Sequence, residues 1–185
     1  MLDIDEFLIV VNNTLKKYLS NKIFDKCDFI KFHRIFTNDN NLLHYDNRSL
    51  FERFNGPYIK SKFVKSIIRG GINNLKYGVH SPKKSPERNT TCNNIGTIIN
   101  SKIINFEYIN KINIKKAYII HFKFKSTEEF INKLKRGFRE RSQYWLEQNI
   151  IKYFKYNKIN KEKIKYFEKE LKLNLTKYKN YINKK

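Results

Sequence analysis

The spacing of apolar residues changes once along this chain, near Ser126, and that change constrains the possible folds most. Before Ser126 the apolar residues form short runs or alternate with polar ones, as at 7–11, 28–36 and 117–124, which indicates strands. After Ser126 they recur every three or four residues, which indicates amphipathic helices. Strands first and helices last predict a mixed α/β or α+β chain.

Helix and turn signals add further elements. Asn13 or Thr14 could cap a helix that runs to about Phe24, and Ser49 to Phe54 could form one or two helical turns. Ser126-Thr127-Glu128-Glu129 resembles a capping box at the start of a helix. The remaining predicted elements are short strands at 64–68, 75–79, 95–100 and 103–108, a polar loop at 80–94, a helix around Tyr144–Phe154 and a helix from Asn160 to Lys185.

The charge of the chain is concentrated in its last segment. The net charge is +22, and twelve lysines lie between Lys152 and Lys185. Apolar residues recur there at helical spacing, at Ile164, Phe167, Leu171, Leu175, Tyr178 and Ile182. Residues 141–185 are therefore predicted to be a basic helical tail after a domain at 1–140. The tail is expected either to pack on the domain or to lie on an anionic membrane surface.

The two cysteines, Cys27 and Cys92, belong to no Cys-x-x-Cys or Cys/His cluster, so no zinc site is expected. A disulfide framework is not expected either, which favours a reducing compartment and a cytoplasmic location. The first residues show no basic region followed by an apolar run, so no secretory signal is expected.

Asp3 and Asp5 form the first candidate chemical site. If they end a strand, side chains two residues apart point the same way, and both carboxylates converge at one sheet edge. Paired carboxylates repel each other unless a cation or a proton lies between them. Hard oxygen ligands suit Mg²⁺ or Mn²⁺, which can also bind a diphosphate.

Four segments, in order, carry a resemblance to a known family. The first is Asp3-Ile4-Asp5-Glu6-Phe7-Leu8, and the second is the decapeptide from Tyr45 to Phe54. The third is Val64 to Arg69 followed by Gly78 to Pro82. The fourth is Tyr118 to Phe122 followed by Lys125-Ser126, Glu128-Glu129-Phe130, Lys133 and Arg136-Gly137. Over about residues 2–140 the chain resembles glycosyltransferases of families 2 and 92, which have the GT-A fold.

The resemblance implies a metal-dependent transfer, with inversion, of a sugar from a nucleotide-diphosphate sugar to a hydroxyl of a glycan or lipid-linked acceptor. It implies that His121 joins Asp3 and Asp5 in holding Mn²⁺ or Mg²⁺, although family members commonly have His-Tyr where this chain has His121-Phe122. Asp46 or Glu52 would be the catalytic base. The implied substrate-binding residues are Arg48, Arg53, His80 and Lys125.

The chain also departs from the family. In GT-A enzymes the Asp-x-Asp ends the nucleotide-binding half, whereas here it stands at residues 3–5. The chain is therefore expected to be the metal-binding, acceptor-side part of an incomplete GT-A-like domain, from a fragment, a split gene or a degenerate descendant.

Two other functions compete with this one. A basic protein with many Tyr and Phe could bind nucleic acid, but these aromatics fall mainly at periodic core positions. The chain could also be an inactive scaffold that keeps the glycosyltransferase fold without its chemistry.

Overall fold

A computed structural model of the protein describes residues 2–72, 76–77, 82–84, 90–99, 109, 111–138 and 142–178. The chain forms two compact units. The first contains Met1–Phe36 and Ile59–His121, and the second contains Thr37–Tyr58 and Phe122–Lys185. These units interleave along the chain, and the division into 1–140 and 141–185 stays a prediction. The predicted mixed α/β class is confirmed.

The strands form one mixed sheet and one small hairpin. They are β1 (Glu6–Val10), β2 (Phe29–Thr37), β3 (Tyr58–Ile68), β4 (Lys76–Tyr77), β5 (Pro82–Lys84), β6 (Thr91–Asn93) and β7 (Ala117–His121). The sheet has the order β1-β7-β2-β3, and β6 also pairs with β2. β1 is antiparallel to β7, while β6 and β7 run parallel to β2. β4 and β5 pair with each other as an antiparallel hairpin.

The core of the first unit lies on β2, whose nine residues are all buried. Five of the nine are Phe or Ile, as expected for a central strand covered on both faces, while Lys31, His33, Arg34 and Thr37 are buried beside them. Around it pack α1 (Leu15–Leu19) and a short 3₁₀ turn, Lys22–Phe24. The predicted helix to Phe24 is thus interrupted, because Thr14 caps one helix and Asn21 begins a separate turn.

A disulfide joins Cys27 to Cys92, with their Cα atoms 5.7 Å apart. The expectation that no disulfide forms is therefore wrong. The two cysteines are 65 positions apart in sequence, but the parallel pairing of β2 with β6 brings them together in the core. The expectation of a cytoplasmic location loses its support from unpaired thiols and stays a prediction.

The second unit is helical. It contains α2 (Leu50–Arg53), α3 (Thr127–Phe138), α4 (Gln143–Tyr156), α5 (Lys161–Leu171) and a 3₁₀ turn, Leu175–Tyr178. The predicted capping box at Ser126 is confirmed, because Glu129 N–H donates to Ser126 Oγ and Ser126 N–H donates to Glu129 Oε2. An aromatic core fills the space between α3, α4 and α5, with Phe130 stacked on Tyr153 at 4.3 Å.

A buried ionic network crosses this core. Lys163 Nζ donates to Asp39 Oδ2 at 2.5 Å, and the Tyr153 hydroxyl donates to the same oxygen. Burial, followed by the Asp39 charge, raises the pKa of Tyr153 well above its usual value. The tail pattern predicts its lysines on the outside. Among the tail lysines whose side chains the structure describes, Lys163 is the exception, because it neutralises a buried carboxylate.

The tail packs within its unit. Phe167, Leu175 and Tyr178 are buried in the aromatic core, and Ile164 and Leu171 pack against it. The predicted continuous helix to Lys185 is wrong, because α5 ends at Leu171 and Lys172 adopts a left-handed conformation with φ 51°. Ile182 lies outside the described residues. No helix in the described part of the chain is long and apolar enough to cross a bilayer.

Three further predictions concern residues 80–108. Residues 95–99 form no strand, and only Ile98 makes an isolated bridge, to Cys92. The predicted loop at 80–94 instead contains β5 and β6, because Thr91–Asn93 pairs with the start of β2. The predicted strand at 103–108 lies outside the described residues.

Candidate active site

The Asp3-Ile4-Asp5 segment forms a turn in front of β1. Glu6 N–H donates to the Asp3 carbonyl at 2.9 Å, and Asp3 N–H donates to Glu6 Oε2 at 3.2 Å. Ile4 stands at the tip of this turn and is 98% exposed. The expectation that both aspartates end a strand is therefore wrong, since the strand begins only at Glu6.

The sheet register places this turn beside the ends of two other strands. β1 is antiparallel to β7, so its start lies beside the end of β7, and Glu6 pairs with His121. β7 is parallel to β2, where His121 pairs with Phe36. The turn therefore lies at the carboxyl ends of β2 and β7, the edge at which α/β sheets commonly bind ligands.

His121 joins this cluster although 116 positions separate it from Asp5. Its Nε2 lies 3.6 Å from Asp5 Oδ1, and its Nδ1 lies 3.5 Å from Glu6 Oε1. The Phe36 ring meets the imidazole edge to face at 5.5 Å and limits its rotation. The structure thus places one predicted metal ligand, His121, beside another, Asp5.

Glu6 connects His121 to two buried cations, Arg34 and Lys65. Its side chain is fully buried, its Oε1 lies 3.2 Å from Arg34 Nη1, and its Oε2 pairs with Lys65 Nζ. Burial alone would raise the pKa of Glu6, but the hydrogen bonds from Lys65 and from Asp3 N–H and the charges of His121 and Lys65 outweigh it and lower that pKa. Glu6 is therefore an anion in the folded protein at neutral pH.

The sequence patterns did not assign a role to Glu6, Arg34 or Lys65. Lys65 Nζ also donates to Asp3 Oδ2 at 3.0 Å. The Asp3 carboxylate, a predicted metal ligand, is therefore paired with the ammonium group of Lys65. An arginine within the apolar run of β2 was the available signal, because a buried guanidinium requires an anionic partner.

The charges of the cluster leave it able to accept a cation. Asp3, Asp5 and Glu6 carry three negative charges, against the two permanent positive charges of Arg34 and Lys65. With neutral His121 one negative charge is left over, which a proton on the imidazole or a metal ion would neutralise.

The distance between Asp5 and His121 fits a divalent metal. Mg²⁺ and Mn²⁺ hold ligands at about 2.1 Å in octahedral geometry, so neighbouring ligand atoms stand about 3 Å apart. The observed 3.6 Å from Nε2 to Oδ1 requires only a small side-chain adjustment. Within the described residues, no three His, Cys, Asp or Glu side chains converge as a complete metal site. A metal here would need the oxygens of a bound diphosphate or of water.

The second unit contains the predicted bases. Asp46 accepts hydrogen bonds from Arg48 Nη2 at 2.5 Å, from Nε at 2.8 Å and from its backbone N–H. These hydrogen bonds lower the pKa of Asp46 to about 2. Glu52 closes a capping box with Ser49 at the start of α2, and the Ser49 hydroxyl and N–H lower its pKa. A lowered pKa makes both carboxylates weak proton acceptors.

The predicted substrate-binding residues differ in their surroundings. Arg48 is committed to Asp46, and Arg53 is buried, bonded to Glu129 at 2.8 Å and flanked by the Tyr45 and Phe54 rings. Lys125 is half-buried in the loop before α3. His80 lies outside the described residues. The substrate-binding roles of all four stay predictions.

Comparison with known proteins gave no match to a family model, to a curated protein or to a solved structure. The glycosyltransferase resemblance therefore depends on the four ordered motifs.

Proposed function

We propose that this chain forms the metal- and diphosphate-binding side of a glycosyltransferase that uses a nucleotide-diphosphate sugar. The observation that carries the proposal is the placement of Asp5 beside His121 at the carboxyl edge of the sheet. The motif containing Asp5 and the motif containing His121 stand at opposite ends of the resembling region. Their meeting at one edge is what a shared site requires.

Asp5 Oδ1 and His121 Nε2 would hold Mn²⁺ or Mg²⁺, which supplies positive charge against the leaving diphosphate. Two protein ligands are sufficient for such an ion, because Mg²⁺ usually keeps several waters and takes substrate phosphate oxygens. Glu6 orients His121 through its Nδ1 side, and Arg34 and Lys65 fix Glu6. A carboxylate beside the second ring nitrogen of a metal-binding histidine is a common supporting arrangement.

The acceptor would be a glycan or lipid-linked hydroxyl, and the transfer would invert the anomeric carbon. These assignments come from the resemblance. Cytoplasmic location, peripheral membrane contact and the role of Asp3 as a third ligand belong to the same proposal. In the described conformation Asp3 would have to leave Lys65 to bind the metal.

Binding of Mn²⁺ to the full chain tests the site directly, with free Mn²⁺ followed by electron paramagnetic resonance. We expect binding that tightens when UDP or GDP is added, because the diphosphate completes the coordination. Asp5→Asn and His121→Ala should each weaken it at least tenfold. Asp25→Asn, which changes an exposed carboxylate of the same unit, is the matched control and should bind normally.

Release of nucleoside diphosphate from UDP- and GDP-sugars, with and without saccharide acceptors, then tests the reaction. Loss of release in Asp5→Asn with retained folding supports the proposal. Equal Mn²⁺ binding by wild type and both site variants would contradict it.

A further inference from the structure

An apolar cavity adjoins the candidate site within the first unit. It has a volume of about 270 Å³ and is bounded by β1, β2, β3, β7 and the turn before β1. Most of the described residues that line it are apolar, namely Leu2, Leu8, Phe32, Ile67, Ile68 and Ile119. Leu2 is 41% exposed, so this wall of the cavity lies at the protein surface.

The strand register connects this cavity to the site of Asp5 and His121. Leu8 on β1 pairs with Ile119 on β7. Two positions along the same strands, Glu6 pairs with His121. Side chains two residues apart on a strand lie on the same face, at a spacing of about 7 Å. The cavity wall and the candidate metal site are therefore neighbours on one face of the sheet.

Lys65 belongs to both places. It lines the cavity, and its ammonium group pairs with Glu6 and, at 3.0 Å, with Asp3. The Lys65 side chain is buried, whereas the Asp3 side chain is 60% exposed. This ion pair fastens the turn that carries Leu2 to strand β3. The turn therefore forms the edge of the cavity that faces solvent.

The lining of the cavity favours hydrocarbon over sugar. A hydroxyl that is buried without a hydrogen-bond partner costs free energy. Among the described lining residues only Lys65 and Ser66 have polar side chains, and Lys65 already pairs with two carboxylates. A glycan in the cavity would leave most of its hydroxyls without partners, whereas an alkyl or isoprenoid segment needs none.

We propose that this cavity binds the hydrocarbon segment of a lipid-linked acceptor. The inference rests on the proposed function, which leaves a glycan and a lipid-linked acceptor both open, and it decides for the second. The hydrocarbon enters beside Leu2 and packs on the sheet face. The polar end of the acceptor stays at the carboxyl edge, where Asp5 and His121 would hold the metal and the leaving diphosphate.

Binding of alkyl glucosides tests the cavity without metal or donor. Ethyl, butyl, hexyl and octyl glucoside, each below its micelle concentration, are titrated into the full chain by calorimetry. Each buried methylene should tighten binding about fourfold until the cavity is filled. Free glucose should not bind measurably.

Two variants at Leu8 and one control locate the binding. Leu8→Phe places a ring in the cavity and should weaken octyl glucoside binding at least tenfold. Leu8→Ala enlarges the cavity and should extend the dependence on chain length to decyl glucoside, which keeps the test informative if Leu8→Phe does not fold. Leu15→Phe, at an exposed position of α1, is the matched control and should bind like wild type.

Sugar transfer gives a second readout. With UDP- or GDP-sugar and Mn²⁺, KM for the acceptor should fall from ethyl to octyl glucoside while kcat stays within about twofold, because the hydrocarbon is bound equally in the ground state and the transition state. In Leu8→Phe the KM values should no longer depend on chain length.

The outcomes separate this inference from the proposed function. If affinity does not depend on chain length although the chain binds Mn²⁺ with UDP or GDP, only the cavity inference is overturned. Displacement of octyl glucoside by uridine or guanosine would assign the cavity to the donor base and also overturn it. If the glucosides bind as expected but the chain neither binds Mn²⁺ nor transfers sugar, the proposed function fails and the acceptor assignment fails with it.

Discussion

Glu6 is the only carboxylate that the structure places against both Arg34 and Lys65 in the part of the chain it describes. Replacing it with Gln leaves the buried Arg34 guanidinium facing a neutral amide, while Lys65 keeps Asp3 as its carboxylate partner. Breaking a buried ion pair from one side costs about 3–5 kcal/mol, so Glu6→Gln should lower the free energy of unfolding by about that much. Urea denaturation measures it. Glu162→Gln, at an exposed position, should change stability by less than about 1 kcal/mol.

The pH dependence of stability gives a second test of Glu6. Its pKa in the folded protein is below the ordinary 4.5. The carboxylate therefore stabilises the fold fully above about pH 4.5, and this contribution is lost as the pH falls through the folded pKa. Wild type should lose stability on acidification more steeply than Glu6→Gln. Parallel acid curves for the two proteins would contradict the assignment.

The residues around Glu6 show how much of this candidate site could be predicted from the sequence. Asp5 and His121 stand in motifs whose order predicts a common site, and the strand register places them side by side. Glu6, Arg34 and Lys65 belong to strands whose patterns show which face a residue occupies. Those patterns do not show which charges of neighbouring strands meet, because pairing between strands distant in sequence decides that.

Among the helices, α5 contains the sharpest contrast between neighbouring lysines. Lys163 is fully buried against Asp39, while Lys165, one half-turn further along, is exposed. Lys163→Ala leaves the Asp39 carboxylate buried without its cation and should cost about 3–5 kcal/mol. Lys165→Ala is the matched control and should stay within about 0.5 kcal/mol of wild type. Equal melting temperatures for the two variants would refute the buried pair.

The end of α5 at Leu171 shows why the sequence pattern did not predict where this helix stops. Ile164, Phe167 and Leu171 follow helical spacing, and so do Leu175 and Tyr178, which suggests one continuous helix. The chain breaks at Lys172 in a left-handed conformation that usually calls for Gly or Asn. The helix ends here because the break allows Leu175 and Tyr178 to be buried in the aromatic core. No residue near Lys172 indicates this in the sequence.

The disulfide ties two elements of the first unit, the turn that follows Phe24 and strand β6. It closes a loop across 65 positions, which restricts the unfolded chain. Such cross-links typically contribute about 2–4 kcal/mol, so a reductant should lower the melting temperature of wild type. The double variant Cys27→Ala/Cys92→Ala should start lower and should not respond to reductant. A reductant response in that variant would assign the effect elsewhere.

At the scale of the whole molecule, the net charge of +22 and the apolar stripe of the tail have different roles: the charge can attract anionic surfaces, while the stripe packs in the protein core. The apolar stripe of the tail is used inside the second unit, where Phe167, Leu175 and Tyr178 are buried. The lysines on the outer face of α5, such as Lys161, Lys165 and Lys169, are exposed. Any attraction to an anionic membrane therefore comes from charge and not from insertion of the stripe.

Vesicle co-sedimentation separates these two modes of attachment. We expect the intact chain to bind vesicles containing phosphatidylserine at low salt, because each lysine near the surface contributes about 1 kcal/mol. Binding should vanish near 1 M salt, where the Debye length is about 3 Å, and neutral phosphatidylcholine vesicles should not bind. Lys161→Gln/Lys165→Gln/Lys169→Gln should bind at least tenfold more weakly with unchanged stability. Attachment that survives high salt or occurs on neutral vesicles would mean that the apolar stripe leaves the core to meet the lipid.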